Sequence, residues 1–198
     1  MESVNEANLR SMGKDWNTAQ GSYAESLRQF RKHGLAIYGT FVFGYDEDDW
    51  NVVRESVAFA REQKLFLAAF NHLVPFPGTP LYRRLREQDR LLTDPWWLDP
   101  EGRVGDVTFR PKKISAADLE SACLWARRRF YSWSSVFERM CDWRANSSSA
   151  AMLGVFLALN LGSHFDIDLR QGLQLGAAND DAQHEYESVH FQSCHTGR

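Results

Sequence analysis

The chain has 198 residues, 43% of them hydrophobic and 13% aromatic, enough for one core or for one core with a helical appendage. A formal net charge of −3 and a pI near 6.1 give no reason to expect a nucleic-acid or membrane-surface partner. Cys123, Cys141 and Cys194 stand at wide spacings with no CxxC or CxxxCxxC grouping, so they write neither a disulfide framework nor a cluster site.

The opening MESVNEANLR is polar and acidic, unlike a signal peptide. SVNEANLRSMG reads as a short helix with Asn5 as cap and Gly13 as stop, and Tyr23, Leu27 and Phe30 mark a second helix stopped by Gly34. Residues 35–43, LAIYGTFVF, are apolar, aromatic and β-branched, the pattern of a fully buried strand of a parallel sheet. In YDEDDW, Asp46 and Asp49 have the spacing of a capping pair, and Val53, Val57 and Ala60 give the following helix one apolar face as far as Gln63. Residues 65–74, LFLAAFNHLV, repeat the strand pattern, and strand, helix and strand in so short a span make a βαβ unit.

FNHLVPFPGTPLY then breaks the chain hard. Pro75 and Pro77 cannot continue a ladder, Gly78 permits an unusual backbone angle, and Thr79 followed by Pro80 caps a helix carried on by Leu81 and Leu85. Two readings stand: a tight connection with no ligand, or the ligand-binding C-terminal end of a parallel strand. Farther on, TDPWWLDPEG is turn-rich, DVTFRP suggests a short edge strand, and Ser115 with Asp118 resembles a capping box. Leu119, Ala122, Ala126, Phe130, Trp133, Phe137 and Met140 predict one long helix. Asn146 to Ser149 reads as a polar hinge before an apolar helix over residues 150–161, whose longest apolar run is too short to span a bilayer. Residues 176–198 are polar and are expected to be disordered. A reducing, cytoplasmic setting is the expectation.

Few residues announce chemistry. His72 stands alone on a buried strand, which favours a hydrogen-bonded core histidine over a metal ligand. His190, Cys194 and His195 cluster in the polar tail, where composition argues for chance. Arg127, Arg128 and Arg129, with Lys112 and Lys113, interleave with Trp125, Tyr131 and Trp133 as in single-strand nucleic-acid binders, but the regular apolar face favours a solvated basic face. The DEDD run has the charge for a cation, yet helix starts favour acidic residues for dipole reasons alone. No GxSxG and no HExxH is present.

Taken in order and spacing, ESVNEANLRSMGK, GLAIYGTFVFGYDEDD and AAFNHLVPFPGTPLYRRL resemble the C-terminal half of a radical S-adenosylmethionine (SAM) core domain, of the subgroup often fused to a cobalamin-binding domain. PWW…TFRPKKIS…RRRFYS resembles the helical extension that follows the barrel there. The resemblance implies a partial (β/α)6 barrel over residues 1–90, a helical extension over 91–175 and a tail over 176–198. The fourth barrel strand would end at Glu2 and Ser3, facing the SAM ribose or methionyl part, with the fifth at 39–44 and the sixth at 65–74. Phe43, Gly44, Leu73 and Val74 would flank the adenine.

The resemblance also implies a [4Fe-4S] cluster and, in the full-length family, cobalamin, but the ligands for the cluster are absent from this chain. The expectation is therefore a C-terminal fragment, active when completed by a separately encoded N-terminal half; the alternative is a non-catalytic remnant or protein-interaction module. With no fourth strand beside it, the strand over 35–43 would expose an edge and an apolar face, and self-association through that edge is expected.

Overall fold

The protein is represented by a computed structural model describing residues 23–174. The first predicted helix, Glu2, Ser3 and the tail over 176–198 with His190, Cys194 and His195 lie outside the described residues. Helix α1 (Tyr23–Lys32) leads into strand β1 (Tyr38–Phe43), helix α2 (Trp50–Glu62), strand β2 (Leu67–His72) and helix α3 (Pro80–Glu87). After a 3-10 turn at Trp96–Leu98 come helices α4 (Ala116–Phe130), α5 (Trp133–Met140) and α6 (Ala150–Arg170). The described architecture is α/β, helices packed on a two-stranded parallel sheet.

β1 and β2 pair with Phe41 opposite Phe70 and Phe43 opposite His72. Side chains alternate across a strand, so Phe41, Phe43, Ala68 and Phe70 share one face, all buried. The Phe41 and Phe70 rings stack at 5.1 Å, and Phe130 of α4 meets Phe70 edge-on at 5.5 Å. Val53, Val57 and Ala60 of α2 and Leu119, Ala122 and Ala126 of α4 complete this core. The opposite face carries Tyr38, Thr40 and Val42 beside Leu67, Ala69 and Asn71, all exposed or half-buried. The expected strands over 35–43 and 65–74 are therefore shorter and buried on one face only, because α2 and α4 both cover the phenylalanine face.

The predicted long helix over 119–140 is two helices. Tyr131 caps the end of α4, and α5 starts after Ser132, whose hydroxyl donates to the Arg129 carbonyl at 2.9 Å. The apolar periodicity continues across the break, so sequence alone hides it. At the break the buried Tyr131 side chain turns onto β2: its hydroxyl donates to the Ala68 carbonyl at 2.9 Å and accepts from the Ala68 amide at 3.3 Å. The expected edge strand in DVTFRP reduces to one antiparallel bridge between Leu91 and Phe109.

Helix α6 runs 21 residues rather than ending near Leu161, and by length and composition it is apolar enough to cross a membrane. The polar residues that end the apolar run bind α4 and its cap: Asp168 pairs with Arg128 at 2.7 Å, and His164 Nδ1 lies 2.9 Å from the Tyr131 carbonyl. Within α6, Phe156 and Asn160 are the buried residues.

These pieces converge on Arg139, fully buried although it is an arginine. Its guanidinium donates to the carbonyls of Leu65 (3.0 Å), Phe66 (3.2 Å) and Phe130 (3.0 Å), to Asn160 Oδ1 (2.9 Å) and to Ser135 Oγ (3.3 Å). It also lies 3.8 Å from the Phe130 ring centroid. Replacing Arg139 with Ala strands the buried Leu65 and Phe130 carbonyls, the Phe66 carbonyl keeping Asn160 Nδ2 at 3.2 Å, and is expected to cost about 3–5 kcal/mol. Arg139→Lys, which keeps charge but loses the planar fork, should still lower the urea midpoint clearly.

Candidate functional site

The C-terminal ends of β1 and β2 lie side by side, and the chain holds them there with its own backbone. The Leu73 amide donates to the Phe43 carbonyl at 2.8 Å, extending the ladder by one bond. Gly44 then turns with φ +101°, a left-handed angle that favours glycine. A Cβ on Gly44 would sit 3.0 Å from both Leu119 and Phe109 and 3.8 Å from the Leu73 amide nitrogen. The buried Asp48 accepts from the Gly44 and Tyr45 amides at 2.9 and 3.0 Å, fixing the turn.

The acidic run thus divides its labour. Asp49 caps α2 by accepting from Asn51 and Val52 at 2.8 and 3.1 Å. Asp46, read from sequence as its capping partner, binds Arg90 and Lys112, each at 2.9 Å. Burial pushes the Asp46 pKa up, but hydrogen bonds from Lys112 and Arg90 prevail and hold it below the ordinary aspartate value. Glu47 pairs with Lys113 at 2.5 Å. Among the described residues no acidic, His or Cys grouping has metal-site geometry.

At the other strand, the PFPGTP break forms a closed turn. The Thr79 hydroxyl donates to the Phe76 carbonyl at 2.7 Å and accepts from the Tyr82 amide at 3.2 Å, the predicted cap. Gly78 has φ +81° with open space where a Cβ would stand. Trp96 Nε1 donates to the Pro75 carbonyl at 2.9 Å, which anchors the turn to the following segment.

Four of the six sequence-predicted site residues are therefore brought together: Phe43, Gly44, Leu73 and Val74 line the two strand ends. Most of their backbone groups are engaged. The Phe43 carbonyl and Leu73 amide bind each other, the Gly44 amide binds Asp48, and the Val74 carbonyl accepts from the Phe76 amide at 3.0 Å. Among the described residues, the Val74 amide and the Gly44 carbonyl make no hydrogen bond. An unengaged N–H and an unengaged C=O are one donor and one acceptor left for a ligand at these strand ends. The described thiols do not fit an iron–sulfur cluster. Cys123 is buried in the α4 packing face, where burial pushes its pKa up to about 12, and Cys141 is exposed at the end of α5.

His72 ends β2 on the phenylalanine face, half-buried, with Nδ1 3.0 Å from the Leu73 carbonyl. It lines a cavity of about 360 Å3 together with Trp96, Asp106, Val107 and Glu120, which accepts from the Val107 amide at 2.8 Å. Burial lowers its pKa, the Leu73 carbonyl raises it, and the nearby Arg127 charge lowers it further; the net shift is downward. Sequence reasoning missed Asp48 and Arg127 as positioning residues. Asp48 was submerged in its acidic run, and Arg127 reads as part of a basic face although its Nε donates to the Phe70 carbonyl at 3.0 Å.

No protein-family model matches the chain. Curated relatives do. The chain is 30% identical over 139 residues, 70% of its length, to the bacteriochlorophyllide d C-12(1)-methyltransferase of Chlorobaculum tepidum, and 28% identical over 96 residues to the C-8(2)-methyltransferase of the same organism. It is 23% identical over 138 residues, 69% of its length, to the anaerobic magnesium-protoporphyrin IX monomethyl ester cyclase of Cereibacter sphaeroides. The chain spans 29%, 21% and 21% of the lengths of these relatives, less than a third of each. It is related by sequence, at low identity, to methyltransferases and to this cyclase.

Two outcomes check the geometry. Gly44→Ala combines backbone strain with crowding and should cost about 2–4 kcal/mol, whereas Gly78→Ala meets only the strain and should cost about 1–2 kcal/mol; equal urea midpoints would contradict the description of Gly44. His72 has a folded pKa below its unfolded value, so its contribution to stability is present above about pH 6.5 and is lost as pH falls through the folded pKa. Its ring-proton NMR titration midpoint should lie below the ordinary histidine value, and His72→Gln should flatten the acid limb of stability.

Proposed function

We propose that this chain supplies the C-terminal strands and helical extension of a radical SAM (β/α)6 barrel and positions the adenosyl end of SAM. In this reading β1 and β2 are the fifth and sixth barrel strands, and the half-open face with Thr40, Val42, Ala69 and Asn71 is the barrel interior. The observation that carries it is the pair of strand ends at which, among the described residues, the Val74 amide and Gly44 carbonyl make no hydrogen bond while most neighbouring backbone groups are engaged. The relatives support the same reading, since several carry methyltransferase in their names. Bacteriochlorophyllide and magnesium-protoporphyrin in the relatives' names make a tetrapyrrole the substrate class of choice.

The cluster ligands, and Glu2 and Ser3 at the fourth strand, complete the site from outside the described residues, with a separately encoded N-terminal half bearing CxxxCxxC as the partner. A reduced cluster, held by the cysteines of that partner, would supply the electron for SAM chemistry. The residues described do three simpler things. Gly44 and Val74 bind and orient the adenine edge, Asp48 holds Gly44 in its left-handed turn, and the Pro75–Trp96 anchor keeps the turn after β2 from folding back over the site.

The test mixes the full chain with a radical SAM N-terminal half and measures retention of labelled SAM by equilibrium dialysis. The mixture should bind SAM, and Val74→Pro, which deletes the free amide, should weaken binding about tenfold with an unchanged melting temperature. SAM binding insensitive to Val74→Pro would overturn the assignment.

A further inference from the structure

The edge of β2 turned away from β1 is covered by side chains of α4 rather than by a strand. Tyr131 takes the amide and carbonyl of Ala68, and Arg127 takes the carbonyl of Phe70. Between this edge, α4 and the end of α6 lies a cavity of about 290 Å3. Its walls are mainly apolar or aromatic, with Ala69, Tyr131, Val104 and Ile167 among them.

Arg127 is half-buried in this wall, and among the described residues it has no carboxylate within ion-pair distance. Its Nε is used by Phe70 and one Nη reaches Gln171 Oε1 at a long 3.4 Å, leaving most of the guanidinium fork without a strong acceptor. The other charges lining the cavity cancel, since Arg170 and Asp166 bind each other at 2.5 Å. A lone, partly desolvated arginine at the end of an apolar cavity is built to hold one planar anion.

We infer that this cavity is a carboxylate-binding subsite, in which Arg127 takes the carboxylate of a small molecule whose apolar body lies along Ala69, Tyr131 and Ile167. A singly charged carboxylate suits it better than a phosphate monoester. Among the described lining residues one cation, Arg127, has no ion pair, the Arg170–Asp166 pair cancelling itself, so a second negative charge would find no cation to meet. The subsite lies on the opposite edge of β2 from β1 and stands independently of SAM binding.

Gln171→Glu offers a test that does not remove the arginine. It places a carboxylate where Gln171 Oε1 now meets Arg127, filling the subsite from within. The full chain, labelled with nitrogen-15, is titrated with hydrocinnamate, with hydrocinnamamide and with phenyl phosphate while the Arg127 Nε–H signal is followed, its assignment coming from its loss in Arg127→Lys. Hydrocinnamate should shift that signal saturably and bind at least about tenfold more tightly than the neutral amide. Gln171→Glu should weaken hydrocinnamate binding at least about tenfold with a melting temperature unchanged or raised. Equal binding of acid and amide, no shift at Arg127, tighter binding of phenyl phosphate, or hydrocinnamate binding unaffected by Gln171→Glu would each overturn the assignment.

Discussion

A single guanidinium joins the two halves of this molecule. Arg139 reaches from α5 to the two carbonyls that precede β2, to the last carbonyl of α4 and to Asn160 in the middle of α6. All its acceptors are neutral. Burial lowers its pKa to about 10, so it stays cationic at neutral pH, and the desolvation of that charge is offset by hydrogen bonds and by the face of Phe130 rather than by an ion pair. Hydrophobic packing alone would let α5 and α6 slide along the sheet. Arg139 fixes their register, because only one position satisfies every fork nitrogen at once.

The sheet shows why such a device is needed. A two-stranded sheet is marginal by itself, and here its two edges meet different fates. The outer edge of β2 is closed by the Arg127 guanidinium of α4 and the hydroxyl of Tyr131, the residue that caps α4. β1 has no second strand neighbour among the described residues. The open face carries Thr40, Val42, Ala69 and Asn71 beside Leu67 and an exposed Tyr38, whereas the phenylalanine rings of both strands point into the helices. Among the described residues the aromatic core forms from two strands and the helices that cover them.

Much of this was legible in the sequence and some was not. Both strands, the βαβ order, the Thr79–Pro80 cap and the Ser115 cap are local patterns, and local patterns survive folding. The open face of the strands was not legible, because LAIYGTFVF is apolar on both faces and only the position of the helices decides which face is covered. The break at Tyr131 was hidden because Trp133 and Phe137 keep the sequence spacing of the α4 apolar face, although both are exposed and α5 buries Ser135, Val136 and Arg139 instead. Arg127 and Arg139 look alike in sequence, as arginines on amphipathic helices. Each binds strand carbonyls more than fifty residues away, Phe70 for Arg127 and Leu65 and Phe66 for Arg139, and no spacing rule connects them.

At the strand ends the same logic turns toward function. A backbone group can recognise a ligand only if folding has not already used it, and most groups here are used. Asp48 takes two amides, Phe43 and Leu73 satisfy each other, and His72 occupies the Leu73 carbonyl. In the proposed reading, the Val74 amide and Gly44 carbonyl, unengaged among the described residues, are the groups left for a ligand, since most groups around them are already used. The glycine is required for the same reason. Its left-handed angle points the chain away from the ladder while the Cβ of any other residue would press on Leu119 and Phe109, the residues that seal the core beneath. The site is thus the surface of the core itself, held rigid by the packing that Arg139 aligns at the opposite end of β2.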